Sequence, residues 1–324
     1  MSALLKSAAH AQVSGGHFRD VDALAAQFHG YDQQYQQLSG GPFEGRIQRV
    51  QFGSGLGIQF EMANRELAQA ASTPAGCHGA CVQAESSPEC TLNAAIFAQD
   101  DLVLCPALKC LEGKTPEGVG MYCMDIDQAL LPEEVRERSR VGMATDPAGA
   151  RRLRDLVHSG MAAFSTRPAL ADYPVAVASF RASVVDLVWQ IATRPTGSDP
   201  QGPRHRRSAR TLRVFRRARD HIRQHLADGI TIAELCRQTG VSRRSLECAF
   251  QAVVGTGPGN YVRMLQLNHI RRDLKSAGDQ HSIGHIAAKH GVWHLSRFSS
   301  YYRELFGELP SQTRRGHAGS ALSG

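Results

Sequence analysis

The 324-residue sequence predicts an α+β protein with two parts, an antiparallel β-barrel or sandwich with flanking helices and an all-α region. Three observations predict this division. Short apolar segments at roughly ten-residue spacing fill residues 43–127, which favours an antiparallel barrel or sandwich. Helical periodicity replaces them from residue 132 onward. Two segments of the last third, residues 231–250 and 282–307, repeat one helix-turn-helix pattern, joined by one long helix.

The strand-like segments are bounded by Gly, Pro, Ser and Asn, as is typical of short strands. They comprise residues 46–52, 57–62, 92–98, 101–105 and 119–126. Residues 21–38 are predicted to form a helix interrupted at Gly30. Further helices are predicted over residues 147–164 and 174–193. The second of these carries a wide apolar stripe, which packs either on the barrel or against a second copy of the chain.

Composition divides the chain into domains. Residues 195–210 are rich in Pro, Gly, Ser and Arg and cannot bury enough apolar surface to order themselves, so they are predicted to be a flexible linker. The barrel domain is then residues 1–194, and the helical domain is residues 211–316. The last residues, 317–324, are predicted to be a disordered tail.

Charge is distributed unevenly along the chain, whose net charge is +7. Residues 201–324 carry 21 Lys and Arg against 8 Asp and Glu, while residues 1–200 carry 16 against 22. Such asymmetry indicates a polyanion-binding segment attached to an acidic globular domain. A basic surface without a partner is the alternative, and the helix-turn-helix pattern favours double-stranded DNA over it.

Other classes of protein are not expected. No apolar run approaches the ~20 residues that span a bilayer, and the N-terminus lacks the roughly 7–15 apolar residues of a secretory signal. A cytoplasmic protein without a membrane partner is therefore predicted. The sequence contains no GxSxG, Walker A, HExxH or strand-linked GxGxxG motif, so no catalytic residues, cofactor or enzymatic activity is expected.

Six of the eight cysteines fall within residues 77–123. Their spacing matches no paired CxxC pattern of a zinc site, so no metal is expected. In a reducing compartment they are predicted to be buried or incidental thiols, with Cys105 and Cys123 in the core. A metal or redox sensor built on these cysteines is the alternative.

The first helix-turn-helix begins at Thr231, which with Glu234 forms a capping box. Gly240 permits the turn, and Ser242 caps the next helix, which Leu246 anchors inward together with Phe250. The helix predicted before this motif, over residues 214–226, is basic and amphipathic. The residues expected on its exposed side are Arg213, Arg216, Arg217, Arg219 and Arg223.

The second helix-turn-helix repeats this order, with Ser282 as the N-cap and Gly291 at the turn. Its recognition helix is predicted over residues 294–306. The apolar positions of that helix are Leu295, Phe298, Tyr302 and Phe306. A connecting helix over residues 258–277 would span ~30 Å, close to the ~34 Å that separates successive major-groove faces. Two recognition helices could therefore enter adjacent major grooves.

Three segments resemble the AraC/XylS family of bacterial transcription regulators across residues 213–315. They are VSRRSLECAFQAVVGTGP, the LNxxRRxL motif of residues 267–274, and GVWHLSRFSSYYRELFGELPSQT. The resemblance implies a C-terminal DNA-binding module and an N-terminal cupin-like domain that binds a small-molecule effector and dimerises. It also implies an activator that recruits RNA polymerase. An effector-independent regulator whose N-terminal domain only dimerises is the alternative.

More narrowly, SRRSLECAF and PFEGRIQRVQF (residues 42–52) are similar to the ethanolamine-utilisation regulator branch of that family, which implies an amine effector. One departure concerns the first recognition helix, where many family members carry Arg at the position of Cys248. Arg243 and Arg244 are then expected to supply the missing contact, because Arg is the best bidentate partner of guanine.

The pattern and the resemblance together assign DNA contacts on both recognition helices. Base contacts are predicted for Arg244, Glu247, Ser296 and Arg297. Backbone contacts, which position the protein without selecting sequence, are predicted for Ser242, Arg243, Lys289, His294 and Arg303.

Overall fold

A computed structural model describes residues 11–28, 30–85, 87–137, 141–194, 203–276 and 281–320 of the chain, without the side chains of residues 203–206 and 316–320. Residues 195–202 of the predicted linker and residues 321–324 of the predicted tail lie outside the described residues. The N-terminal region, residues 11–194, contains the strands. The helical region, residues 203–320, contains both helix-turn-helix units.

Two antiparallel sheets form the N-terminal region. The larger has the order β1-β3-β4-β11-β6-β9-β12, and the smaller has the order β2-β5-β10-β7-β8. The strands of the larger sheet are β1 (Ala11–Phe18), β3 (Gly45–Phe52), β4 (Leu56–Ala63), β6 (Cys77–Gln83), β9 (Asp101–Cys105), β11 (Gly120–Asp127) and β12 (Gly142–Thr145). Those of the smaller are β2 (Asp32–Gln37), β5 (Leu67–Ser72), β7 (Cys90–Leu92), β8 (Ala95–Phe97) and β10 (Cys110–Thr115). The strands therefore face each other as two sheets and do not close into the predicted single barrel.

The two faces of the larger sheet border two different hydrophobic cores, because alternate side chains of a strand point to opposite faces. In β6, Ala80 and Val82 point to an outer core, whereas Cys81 points to the space between the sheets. Two long helices, α3 (Pro147–Thr166) and α4 (Pro174–Thr193), cover the outer face. A short helix α2 (Glu133–Arg136) lies before them.

The segment predicted as one helix over residues 21–38 is instead a short helix α1 (Val21–Ala25) followed by β2. Asp20 caps α1 by accepting hydrogen bonds from the backbone N–H of Asp22 and Ala23. Gly30, at φ 84°, separates the two elements. The Gln-rich run beyond it pairs with β5, so pairing within the sheet outweighs its modest helix propensity.

The strand predicted over residues 92–98 is a hairpin of β7 and β8. Its two-residue turn consists of Asn93 at φ 49° and Ala94 at φ 61°. Positive φ at both central positions is the geometry of a type I′ turn, whose twist matches that of the flanking strands. The sequence lacked the usual Asn-Gly signal because Ala occupies the second position.

The helical region contains α5 (Pro203–Gln224), α6 (Ile232–Thr239), α7 (Arg243–Val254), α8 (Pro258–Ser276), α9 (Ile283–Lys289), α10 (Leu295–Phe306) and α11 (Pro310–Ser320). Two predictions differ from these bounds. Helix α5 begins at Pro203, inside the predicted linker, and Ser208 donates a 3.2 Å hydrogen bond to the carbonyl of Ala94. Helix α11 reaches Ser320, inside the predicted tail.

Helix α4 is, in the part of the chain that the structure describes, the one helix long and apolar enough to cross a membrane, with a mean hydropathy of 1.4. The expectation that no segment approaches that length is therefore wrong, because the many Val and Ala residues outweigh the interspersed Arg181 and Asp186. Core helices of soluble proteins meet the same criterion, so this is weak evidence for a span. Val184 and Val188 of α4 pack against the larger sheet, and only 28% of the apolar stretch is buried.

Replacing Phe52 by Ala should destabilise the N-terminal region. The Phe52 ring is fully buried against the rings of Phe164 and Phe180, whose centroids lie 5.0 and 4.6 Å away. We expect Phe52→Ala to lower the free energy of unfolding by about 3–5 kcal/mol. Chemical denaturation would measure it. The control is Ile96→Ala, which removes a 62% exposed side chain and should change stability by less than ~0.5 kcal/mol. Equal losses in the two variants would contradict the packing described here.

Candidate nucleic-acid interface and inter-sheet cavity

The first helix-turn-helix consists of α6 and α7, joined at Gly240. Thr231 caps α6 through a 3.2 Å hydrogen bond from the N–H of Glu234. Gly240 adopts φ 69°, and an added Cβ would meet nothing within 4 Å, so the backbone conformation alone favours glycine there. The Glu234 carboxylate contacts His221 of α5 at 2.9 Å, and this hydrogen bond lowers the pKa of Glu234. The Glu234 carboxylate also accepts a hydrogen bond from the backbone N–H of Thr231, so the predicted capping box is formed on both sides, and the same carboxylate holds α5.

The second helix-turn-helix consists of α9 and α10, joined at Gly291. Ser282 caps α9 through a 3.1 Å hydrogen bond from the N–H of His285. Gly291 adopts φ 77°, and an added Cβ would lie 2.8 Å from the carbonyl oxygen of Leu226, just after α5. The turn of the second unit therefore contacts the first unit closely, which requires glycine for space as well as for conformation.

Helix α8 is shared by both units. Tyr261 and Leu265 lie in the core of the first unit, together with Phe215 and Phe250. The following turns of α8 lie in the core of the second unit, where Leu267, Ile270 and Leu274 pack. With 19 residues, α8 is about 28 Å long at the α-helical rise. Burial at both ends fixes each recognition helix to the same connecting helix.

Every predicted DNA-contact side chain is exposed. On and before α7 these residues are Ser242, Arg243, Arg244 and Glu247; on and around α10 they are Lys289, His294, Ser296, Arg297 and Arg303. Inward-facing side chains alternate with them, with Leu246 and Phe250 buried in α7 and Phe298 and Tyr302 buried in α10. The first half of each recognition helix is therefore accessible to a partner.

Three of the predicted contact residues on these surfaces already form ion pairs. Arg243 donates to Glu247 at 2.9 Å, and Lys289 contacts Asp273 at 2.8 Å. Exposed pairs of this kind stabilise by at most ~1 kcal/mol, so a phosphate or base edge can displace them. His290 also donates a hydrogen bond to Asp273 at 2.9 Å.

Arg213 and Arg217 of helix α5 are exposed as predicted, whereas two other arginines of this helix differ from the prediction. Arg216 and Arg219 instead contact the buried carboxylate of Glu112 on β10, at 3.0 and 2.5 Å. Burial would lower the pKa of the Arg219 guanidinium, but Glu112 and Asp220 outweigh this effect and raise it. These two cations therefore bind the N-terminal region, and the charge available to a polyanion is smaller than composition indicates.

A second ionic contact joins α8 to the N-terminal region. Lys275 and Arg271 bind Asp20, and Arg272 donates to Asp22 at 2.7 Å. Burial alone would raise the pKa of Asp20, but Lys275 and Arg271 outweigh it and lower the pKa below its ordinary value. The basic face of α8 thus lies against α1 and is not part of the exposed recognition surface.

Two large apolar side chains of the second unit are exposed, one of which the sequence analysis placed in the core. Trp293 is 70% exposed, and Leu295, predicted as an inward position, is 47% exposed. Helix α10 begins at Leu295, so Leu295 lies at the N-terminal end of the helix, before the first buried position, Phe298. The spacing between Leu295 and Phe298 predicted that Leu295 is buried. Its position at the helix end leaves it exposed instead.

A cavity of about 60 Å³ lies between the two sheets. Phe28, Tyr31 and Tyr35 form its aromatic side, and Glu61 and Gln33 supply polar groups. The Tyr35 hydroxyl donates to Glu61 at 2.7 Å, and Gln69 donates to Glu61 at 3.5 Å. No Lys or Arg among the described residues lines the cavity, so the Glu61 carboxylate faces it without a cation.

Burial raises the pKa of Glu61 to about 7, although the hydrogen bonds from Tyr35 and Gln69 oppose the shift. The amide oxygen of Gln33 is buried without a hydrogen-bond partner in the described part of the chain. Unpaired buried acceptors are costly, and a donor ligand would satisfy both groups. The cavity therefore presents hydrogen-bond acceptors to a small guest.

Two cysteines line the same cavity, Cys81 of β6 and Cys123 of β11. They are directly opposite in the sheet, and their Sγ atoms are 3.4 Å apart. The hydrogen bond with Cys81 and burial raise the pKa of Cys123. Burial also raises the pKa of Cys90 and of Cys105 to about 12. The thiols of Cys90, Cys105 and Cys123 are protonated near neutral pH, which makes them poor nucleophiles and metal ligands.

Residues 235–316 match a protein family described as a helix-turn-helix domain. The probable thc operon regulatory protein of Rhodococcus erythropolis is 33% identical over 103 residues, covering 32% of this chain and 31% of that protein. The XylDLEGF operon transcriptional activator of Pseudomonas putida is 39% identical over 102 residues, covering 31% of this chain and 32% of that protein. The chain thus spans about a third of the length of these relatives.

Among solved structures, the AraC-like transcriptional activator CuxR is 16% identical and superimposes over 85% of this chain and 100% of that chain, with a TM-score of 0.43. The family match places a helix-turn-helix domain in the C-terminal third. That third is a helix-turn-helix region of the AraC type.

The raised pKa of Glu61 predicts a specific pH dependence of stability. Its folded pKa of about 7 exceeds the ordinary value of 4.5, so the folded state holds the proton more tightly, and this contribution to stability is lost as pH rises through 7. Relative to Glu61→Gln, the wild-type free energy of unfolding should fall between pH 5 and pH 8 by on the order of 2 kcal/mol. Denaturant titrations at several pH values would measure this, and parallel pH profiles for the two proteins would refute the assignment.

Proposed function

We propose that this chain, whose C-terminal third is an AraC-type helix-turn-helix region, is a sequence-specific DNA-binding transcriptional regulator of the AraC/XylS family. One observation carries the proposal: two recognition helices with exposed polar and basic residues are fixed to a single connecting helix. A trihelical core without a nucleic-acid partner would need neither the duplication nor two exposed basic faces. Double-stranded promoter DNA is the partner that fits both.

Base contacts are proposed for Arg244 and Glu247 of α7 and for Ser296 and Arg297 of α10. All four lie near the start of a recognition helix, the part that reaches base edges in helix-turn-helix proteins. The arginines would pair with guanine and Glu247 with the amino group of cytosine. Without DNA, the Glu247 carboxylate is paired with Arg243. DNA would displace Arg243 from that carboxylate.

Backbone contacts are proposed for the remaining exposed polar residues around the two helices. They are Ser242, Arg243, Lys289, His294 and Arg303. Hydroxyl, ammonium, imidazole and guanidinium groups can all donate to phosphate oxygens, which positions the protein without selecting sequence. Their cationic members should dominate the salt dependence of binding.

The N-terminal region is proposed to bind a small-molecule effector in the inter-sheet cavity, and the effector is proposed to be an amine. The Glu61 carboxylate without a cation, the unpartnered Gln33 oxygen and three aromatic rings together favour a small ammonium ion. The carboxylate would supply the counter-charge and the rings would contact the cation through their faces. The resemblance to the ethanolamine-utilisation branch supports the same chemical class.

The chain is further proposed to be a cytoplasmic homodimer that activates transcription by recruiting RNA polymerase. The outward face of α4 supports dimerisation, because most of this apolar helix is uncovered and Val175 and Trp189 are exposed on it. Exposed apolar patches of this kind commonly mark protein interfaces. An effector-independent regulator would keep this dimer and leave the cavity without a ligand.

A redox sensor is a second candidate, favoured by one observation. Cys81 and Cys123 lie 3.4 Å apart in one cavity, close enough to be oxidised to a disulfide with loss of two electrons and two protons to a peroxide. Their environment opposes it, since the raised pKa of Cys123 disfavours the reactive thiolate. The amine proposal therefore ranks first.

Replacing Arg297 by Ala should weaken binding to a cognate site by about 1–3 kcal/mol and relax the preference at one base pair. DNase footprinting of the region upstream of the gene would locate the site, and competition between single-base variants would measure the preference. Lys289→Ala is the matched control. As a proposed phosphate contact it should weaken binding to all variants equally and reduce the salt dependence. Equal weakening by Arg297→Ala across all base variants would exclude base contact by Arg297.

Ethylammonium, used as a probe, should bind the full-length protein roughly tenfold more tightly at pH 8 than at pH 6. A Glu61 pKa of about 7 leaves about a tenth of the carboxyl ionised at pH 6 and about nine tenths at pH 8. Isothermal titration calorimetry would measure the affinity. Glu61→Gln should remove both the binding and its pH dependence, and ethanol should not bind. Normal footprinting without any amine binding would favour the effector-independent regulator.

A further inference from the structure

Strand β2 separates the inter-sheet cavity from the helical region by the thickness of a single strand. Its alternate side chains point to opposite sides. Gln33 and Tyr35 line the cavity beside Glu61. Gln34 and Gln36 line a narrow space on the other side, shared with side chains of the helical region. Those side chains are Phe215, Arg219, Arg223, Val254 and Tyr261.

The outer edge of β2 is paired with a helix. β2 is the edge strand of the smaller sheet, with β5 on its other side. Asn268 of α8 accepts a hydrogen bond from the N–H of Gln37 and donates one to its carbonyl, both at 3.2 Å. Arg272 donates to the carbonyl of Tyr35 at 2.8 Å. Two side chains of α8 thus take the place of a neighbouring strand and satisfy backbone groups that would otherwise be unpaired.

The end of β2 also holds the second recognition helix. The side-chain amide of Gln37 donates to the carbonyl of Leu305 at 2.6 Å, and the N–H of Gly41 contacts the carbonyls of Glu304 and Leu305 at 3.1 Å. An added Cβ at Gly40 would lie 2.6 Å from the carbonyl oxygen of Glu304, so only glycine permits this approach. The last carbonyls of α10, which lack partners within the helix, are therefore satisfied by the N-terminal region.

We propose that β2 transmits changes in the cavity to both helix-turn-helix units, and that Asn268 is the positioning residue through which α8 follows the strand. Rearrangement of Tyr35 or Gln33 around a guest displaces the strand whose edge holds α8 and whose end holds α10. Since α8 is buried in the cores of both units, its displacement changes the placement of both recognition helices. This mechanism rests on the proposed function, because it supplies the link between effector site and DNA-binding surface.

Hydrogen–deuterium exchange on the full-length protein tests the coupling without DNA or ligand. Tyr35→Phe removes the hydroxyl that joins Glu61 and Gln33, and so perturbs β2 from the cavity side. We expect exchange in residues 265–275 and 303–307 to accelerate roughly threefold or more. Gln33→Ala, a substitution at a half-buried position, provides the same perturbation if Tyr35→Phe folds poorly. The control is Met121→Leu, which alters the cavity from β11 and should leave α8 and α10 unchanged.

The same measurement in an Asn268→Ala background identifies the path. The proposal predicts that the effect of Tyr35→Phe on residues 265–275 is lost when Asn268 is absent, so the two substitutions are non-additive in α8. Residues 303–307, which the end of β2 holds directly, should still respond. Equal acceleration of α8 in both backgrounds, or no acceleration of α8 and α10 by either cavity variant, would overturn it. Because exchange is measured without DNA, such a result would leave the proposed DNA binding intact. A failed footprint would reject that function and leave the exchange result standing.

Discussion

The burial of α8 in three places is the constraint on which the rest of the structure depends. Its first half packs in the core of the first helix-turn-helix through Leu265, and its second half packs in the core of the other through Ile270. Its third contact is with β2, where Asn268 occupies the strand edge. Because close-packed interiors transmit displacement, a helix shared in this way cannot move without moving both units. The two recognition surfaces and the N-terminal region therefore act as one mechanical assembly.

Charge in the helical region serves two purposes that composition alone does not distinguish. Arg216 and Arg219 neutralise the buried Glu112, and Lys275 with its neighbours neutralises carboxylates beside α1. Removing one partner of such a buried contact is costly, because the other charge remains desolvated. The exposed arginines of α7 and α10 stay available to a polyanion. The excess of 13 positive charges in residues 201–324 thus divides between holding the two regions together and forming the recognition surface.

The features of the fold that depend only on neighbouring residues could be predicted from the sequence. The N-caps Thr231 and Ser282 and the turns at Gly240 and Gly291 follow from side-chain and backbone preferences within a few residues, and each lies where the sequence placed it. The cavity was not predictable, because Glu61 meets Tyr35 only when two sheets face each other. Nor was the strand over residues 32–37, whose polar residues fit a helix until β5 pairs with it. Arg216 and Arg219 of α5 were assigned to solvent because their partner, Glu112, is about a hundred positions away in sequence.

A hydroxyl-radical footprint of the full-length protein on its upstream DNA tests the central claim most directly. Two recognition helices fixed to one connecting helix of about 28 Å should protect two short windows on one face of the duplex, with centres about 10 base pairs apart. Substitutions in α7 should remove one window and substitutions in α10 the other. A single protected window, or two windows on opposite faces of the duplex, would contradict the account.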